Sequence, residues 1–73
     1  MNDKLRKELI KTRLIDEITA SKMSFAEIAR LVGCTKSMIS QYKNTSKMPT
    51  TLMLAKICEV IGADANYILG ISE

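Results

Sequence analysis

Lys36, Ser37, Ser40, Gln41 and Lys43 lie within one short stretch and share the outer face of a helix. That face carries ammonium, hydroxyl and carboxamide groups and no carboxylate. Such groups match the edges of base pairs in the major groove of duplex DNA. A carboxamide bonds adenine N6 and N7 together, an ammonium group donates to guanine O6 and N7, and a hydroxyl bonds either way. Lys36, Ser37, Ser40 and Gln41 are therefore candidate base-reading side chains. Met38, near the groove side, can touch a thymine methyl or be partly buried instead. Lys43, and Lys47 beyond it, attract phosphate whatever the base sequence.

The charge around this helix is one-sided. Eleven Lys and Arg against eight Asp and Glu leave a net charge of +3. Between Ile28 and Cys58 there is no acid, while Arg30, Lys36, Lys43, Lys47 and Lys56 supply five positive charges. A basic stretch is commonly just solvated surface, but this one coincides with a helical hairpin, which points to a polyanionic partner.

Composition argues against other functions. The chain has no His, so the commonest general base is missing. Lone Ser and Cys side chains lack an activating neighbour. No Gly-rich phosphate loop and no paired carboxylates stand out, so no catalytic residues are assigned and no enzyme is expected. Cys34 and Cys58 without His fall short of the roughly four ligands of a structural zinc. A single disulfide is out of place in a chain of intracellular character. Both thiols are expected to be small buried hydrophobes, with no metal, cofactor or small-molecule ligand. With no apolar run of roughly 18 residues and no signal-peptide core at the N-terminus, the chain is expected in the cytoplasm, away from membranes.

Residues 1–73 are expected to form one domain. So short a chain buries only about 60% of the surface its unfolded form exposes, although 47% apolar residues suffice for a core. The periodicity is helical throughout and the fold class all-α. Helix 1 is expected over about Asp3 to Ala20, capped by Asn2 or Asp3. Leu5, Leu9, Ile10, Leu14, Ile15 and Ile18 form its apolar stripe. Its other face, with Lys4, Lys7, Lys11, Asp16 and Glu17, reads as solvated. The stripe is long enough to run past the core toward a partner subunit.

Helix 2 has the clearest start, a Ser24-x-x-Glu27 capping box with Met23 and Ile28 at the staple positions. It runs to Val32, with Ile28, Ala29, Leu31 and Val32 apolar, and stops at Gly33, which takes a left-handed backbone without steric cost. Thr35 caps helix 3, about Lys36 to Lys43, whose Ile39 and Tyr42 face inward. Asn44 to Thr50 is the main loop. Helix 4, about Thr51 to Ile61, is capped by Thr50 or Thr51, packs through Leu54, Ile57, Cys58 and Ile61, and stops at Gly62. Asp64 caps a short helix 5, about Ala65 to Leu69, ended by Gly70. Two helices joined by a turn of roughly three to four residues pack only when particular positions are small or apolar. Ile28, Ala29, Val32, Gly33, Cys34, Ile39 and Tyr42 meet that requirement at fixed offsets.

On these residues the chain resembles the Cro- and cI-type phage repressor family, a five-helix, lambda-repressor-like bundle whose helix-turn-helix is formed by helices 2 and 3. The match runs through Ile28-Ala29, Leu31, Val32-Gly33, Thr35, Ile39, Tyr42 and Asn44. Pro49, Leu54, Ile57, Ile61-Gly62 and Tyr67-Ile68-Leu69-Gly70 continue it, so it covers about residues 8 to 70. The resemblance implies a double-stranded DNA-binding regulator, a phage or prophage repressor or bacterial relative. Such a protein binds a palindromic operator as a homodimer, in a bacterial cell or phage-infected host and at the nucleoid. By position, Lys36, Ser37 and Gln41 fall where the family reads bases, and Thr35 and Asn44 where it contacts the DNA backbone.

The chain also departs from the family. Phe25 stands where a phosphate-binding Gln is common, so that contact falls to Ser24, Lys22 or backbone N–H groups. Lys43 replaces a frequent Glu, and Ile18 its Arg partner on helix 1, so both ends of one ion pair are exchanged together. Thr45 replaces the Gly that often follows Asn44, leaving Asn44 to take the left-handed conformation. Ile68, Leu69 and Ile71 are the first candidates for a dimer interface. The competing expectation is a helical protein-interaction adaptor or antitoxin-like module, which calls for acids or apolar residues on the outer face of helix 3.

Overall fold

The computed structural model describes residues 2–72. Five helices follow one another: α1 (Asp3–Ala20), α2 (Phe25–Val32), α3 (Lys36–Asn44), α4 (Thr51–Ile61) and α5 (Ala65–Ile68). No strand occurs among the described residues.

Each helix starts where a short polar side chain can take up a free backbone N–H. Asn2 accepts from the N–H of Leu5, Ser24 from Glu27, Thr35 from Met38, Thr50 from Met53 and Asp64 from Asn66. Two helices stop at left-handed glycines: Gly33, with φ 82°, ends α2, and Gly62, with φ 70°, ends α4. A side chain at either site would meet the steric cost of that conformation.

The core is one cluster drawn from all five helices. Leu14 and Ile18 come from α1, Ile28, Ala29 and Val32 from α2, Ile39 and Tyr42 from α3, Leu54, Ile57 and Cys58 from α4, and Ile68 from α5. α2 packs on α3 and α4, and α1 packs on α3 and α5. The ends of the chain are joined by Arg13. Its guanidinium lies 4.2 Å from the centre of the Tyr67 ring and donates to the carbonyls of Tyr67 and Ser72. A cation over an aromatic face is attracted by the ring quadrupole.

α1 is longer than the core needs. Eighteen residues of helix span about 27 Å, more than the two shorter extents of the molecule, 23 and 20 Å. Residues 2–8 are exposed, Leu5 among them at 52%. The apolar stripe is therefore satisfied only from Leu9 onward.

Four expectations are corrected. Leu31 keeps 49% of its surface in solvent, because α2 is buried through Ile28, Ala29 and Val32. Cys34 is half-buried rather than buried, whereas Cys58 is buried and both thiols are free. Asn44 is not left-handed but is the last residue of α3. Thr45 closes that helix from an extended backbone, its N–H and hydroxyl both donating to the Gln41 carbonyl, at 3.0 and 2.7 Å. Ile68 is completely buried between α5 and the rest of the core, so it is not available to a second copy of the chain. Leu69 is half-buried, and Ile71 is exposed.

Among the described residues, Lys22 is the only non-glycine with positive φ, at 62°, in the turn between α1 and α2. A left-handed backbone costs an L-residue about 1–2 kcal/mol. Glycine removes that cost but adds freedom to the unfolded chain. Lys22→Gly is expected to stabilise the fold by about 0.5–1 kcal/mol and to raise the melting temperature by about 2–8 °C. A fall in a thermal melt would show that this turn is not kept in solution.

Candidate nucleic-acid interface

The hairpin of α2 and α3 is set by a few local interactions. The N–H groups of Gly33 and Cys34 both donate to the Ala29 carbonyl at 2.9 Å, which turns the chain sharply out of α2. Thr35 then starts α3, its hydroxyl accepting from the Met38 N–H at 3.2 Å. Ala29 is 2% exposed, small enough for the helices to cross there. Ile39 and Tyr42, three residues apart and buried, hold the inner face of α3.

With that face fixed, helical geometry decides the rest. Lys36, Ser37, Lys43 and Asn44 are exposed, while Met38, Ser40 and Gln41 are half-buried. The exposed side chains at the start of α3 sit at its tip, and Gln41 lies one turn further along the flank. The outer surface of α3 bears no acid. Met38 is half-buried, a setting that its flexible thioether tolerates.

The expected phosphate contacts fall at helix ends. Ser24 is exposed at the start of α2, its oxygen accepting from the Glu27 N–H at 3.0 Å, so its hydroxyl proton is free to donate outward. Thr35 is exposed at the start of α3, beside backbone N–H groups of the kind that bind anions. Lys22 is exposed in the turn before α2. Lys47 follows α3 and is also exposed, its N–H held by the Thr45 hydroxyl at 3.1 Å. Thr45 thus orders the loop after α3 in place of a glycine, a role not assigned to it from sequence. Its signal was present: a threonine directly after a helix can bond back to the last turn.

Burial pushes the Cys34 thiol above its ordinary range, as it does the Tyr42 phenol, with Cys34 adding to the latter effect. The Cys58 thiol is raised by burial and then by Asp64 and Glu17. The thiols are thus held in the protonated, weakly nucleophilic form at neutral pH. No cluster of three or more metal-binding side chains occurs among the described residues. None of the described helices is long and apolar enough to cross a membrane.

Compared with known proteins, residues 16–68 match the family model described as Helix-turn-helix. No curated protein matches the chain, and no solved structure does. The matched segment starts within α1, contains the hairpin and ends with α5. With this match over more than half of its length, and with five helices packed around an α2–α3 hairpin, the chain belongs to the Cro- and cI-type helix-turn-helix family of DNA-binding transcription regulators.

Proposed function

We propose that the chain is a repressor of the phage or prophage type, reading a palindromic operator as a homodimer through α3 in the major groove. The observation that carries this reading is the outer face of α3. It offers Lys36, Ser37, Ser40 and Gln41 without a single acid, on a helix whose inner face is locked by Ile39 and Tyr42. Lys36, Ser37 and Gln41 read base edges, with Ser40 and Met38 beside them. Ser24, Lys22, Thr35, Lys43, Asn44 and Lys47 hold phosphates on either side. So small a reader gains affinity by pairing, because the second half-site becomes effectively intramolecular. Its half-sites lie about 34 Å apart, one turn of the duplex. Ile71, 69% exposed, and half-buried Leu69 supply the dimer contact, and the exposed Leu52 adds to the apolar surface available for it. Such a protein acts at the nucleoid of a bacterial cytoplasm.

The test is equilibrium binding to operator-sized duplexes as a function of salt. The logarithm of the binding constant should fall steeply and linearly with the logarithm of salt concentration. The best sequence from a randomised pool should bind about 10³-fold or more tighter than random duplex. A flat salt response would point instead to a helical protein-interaction adaptor.

A further inference from the structure

We propose that α1 carries a second phosphate-binding surface: Lys4, Lys7 and Lys11, with Lys43 facing them, hold duplex backbone outside the segment that α3 reads. This rests on the DNA-binding reading above and extends it to a helix outside the hairpin.

The placement comes first. Lys4, Lys7 and Lys11 stand at intervals of three and four residues, so they share one face of α1. Lys4 and Lys7 lie in the part of α1 that runs past the core, where residues 2–8 are exposed, and Lys11 is half-buried one turn further on. Between it and the end of α3 lies an open trough of about 580 Å³. Lys4, Lys7, Glu8 and Lys11 form one wall, and Lys43, Asn44, Thr45 and Ser46 form the other. The trough thus continues from residues already proposed to touch phosphate. Lys4 and Lys11 are about 10 Å apart along the helix axis, the axial length of about three phosphates on one strand.

The charge comes second. Four ammonium groups against the single Glu8 carboxylate give this trough an excess of three positive charges. The net charge of the whole chain is also +3, so the remainder of the molecule is balanced. The concentration of charge opposes the local preferences of the helix. Cations near a helix N-terminus face the positive end of its dipole, and like charges four residues apart, as at Lys7 and Lys11, weaken a helix. Asp3 and Glu8, three or four residues from these lysines, return only the weak stabilisation of surface helix pairs, whereas a polyanion lying in the trough engages the whole row.

The experiment compares salt dependence across variants on both selected and random duplexes, with circular dichroism to verify the helical content of each. Lys4→Gln/Lys7→Gln/Lys11→Gln should make the slope of log K against log salt shallower by about 2–3, because each engaged phosphate contributes about 0.9. Specific and random duplexes should weaken alike, leaving their ratio unchanged. Lys56→Gln, an exposed charge on α4 outside the trough, should leave the slope nearly unaltered. Glu8→Gln should tighten both duplexes several-fold and is the variant that decides if the triple substitution loses helix. An unchanged slope in the triple variant, no tightening by Glu8→Gln, or a slope change of about 0.9 for Lys56→Gln, that of one engaged phosphate, overturns the proposal. In each of those cases a steep slope for the unaltered protein leaves the regulator reading standing. A flat slope for the unaltered protein removes both.

Discussion

Ile39→Ala is expected to destabilise the fold by about 2–5 kcal/mol, the largest effect of any single change considered for this chain. Ile39 is completely buried and sits where α3 meets the shared core. Removing most of its side chain loses the transfer energy of the deleted atoms and leaves a void that surrounding helices fill only in part. Domains are stable by roughly 0.05–0.15 kcal/mol per residue, or about 4–11 kcal/mol for a chain of this length, so the loss takes a large share. The melting temperature should fall by at least about 8 °C. DNA binding near the new midpoint should decline with the folded fraction and recover on cooling. Urea or thermal unfolding followed by circular dichroism measures this directly. A shift of only a degree or two would mean that α3 is not seated on the core through Ile39.

Gln41→Ala and Lys43→Ala should part in a way that sorts base contacts from backbone contacts. Gln41 is half-buried on the flank of α3, and Lys43 is exposed near its end. Loss of a side chain bonded to one base relaxes preference at that position and costs about 1–3 kcal/mol, whereas loss of a phosphate contact weakens all sequences evenly. Selection from a randomised duplex pool should show one degenerate position in each half-site for Gln41→Ala. For Lys43→Ala it should show the same consensus at lower affinity, with the salt slope reduced by about 1. The Gln41 carbonyl accepts from Thr45 through the backbone, so truncating its side chain leaves the closure of α3 intact. If the two variants give the same profile, the assignment of Gln41 to a base is wrong.

The parts of this fold that were readable from sequence are those governed by neighbours in the chain. Ser24, Thr35 and Thr50 cap their helices because a hydroxyl three residues before a free N–H can reach it without help from the rest of the molecule. Gly33 and Gly62 end theirs for an equally local reason. Ile39 and Tyr42 followed from helical period. What escaped depends on distant packing. Leu31 belongs to an apolar run, yet α2 is covered on the side of Ile28 and Val32 only. Ile68 looked like a free C-terminal apolar residue until α5 folded back on α1 and α4. The link between Arg13 and Tyr67 joins residues 54 apart in sequence and leaves no local pattern. The end of α3 was misread because two local solutions compete there: a left-handed Asn44, or a threonine bonding back to the last turn. Thr45 provides the second. The exposure of Lys36, Ser37 and Lys43 on α3 was legible because it follows from the two buried anchors, whereas the partial burial of Met38, Ser40 and Gln41 was not. The lysines of α1 were not, because their significance depends on which residues face them across the trough.

The anchoring of α3 through Ile39 and Tyr42, between threonines at both ends, bears on how such a protein can diversify. Positions 36 and 37 are exposed, and 40 and 41 are half-buried. None of these side chains is needed to cap or seat the helix. If these positions read bases as proposed, new combinations there would retarget the protein while its buried anchors and threonine caps stay in place. Related copies in one cell could drift apart in address without first passing through an unfolded ancestor.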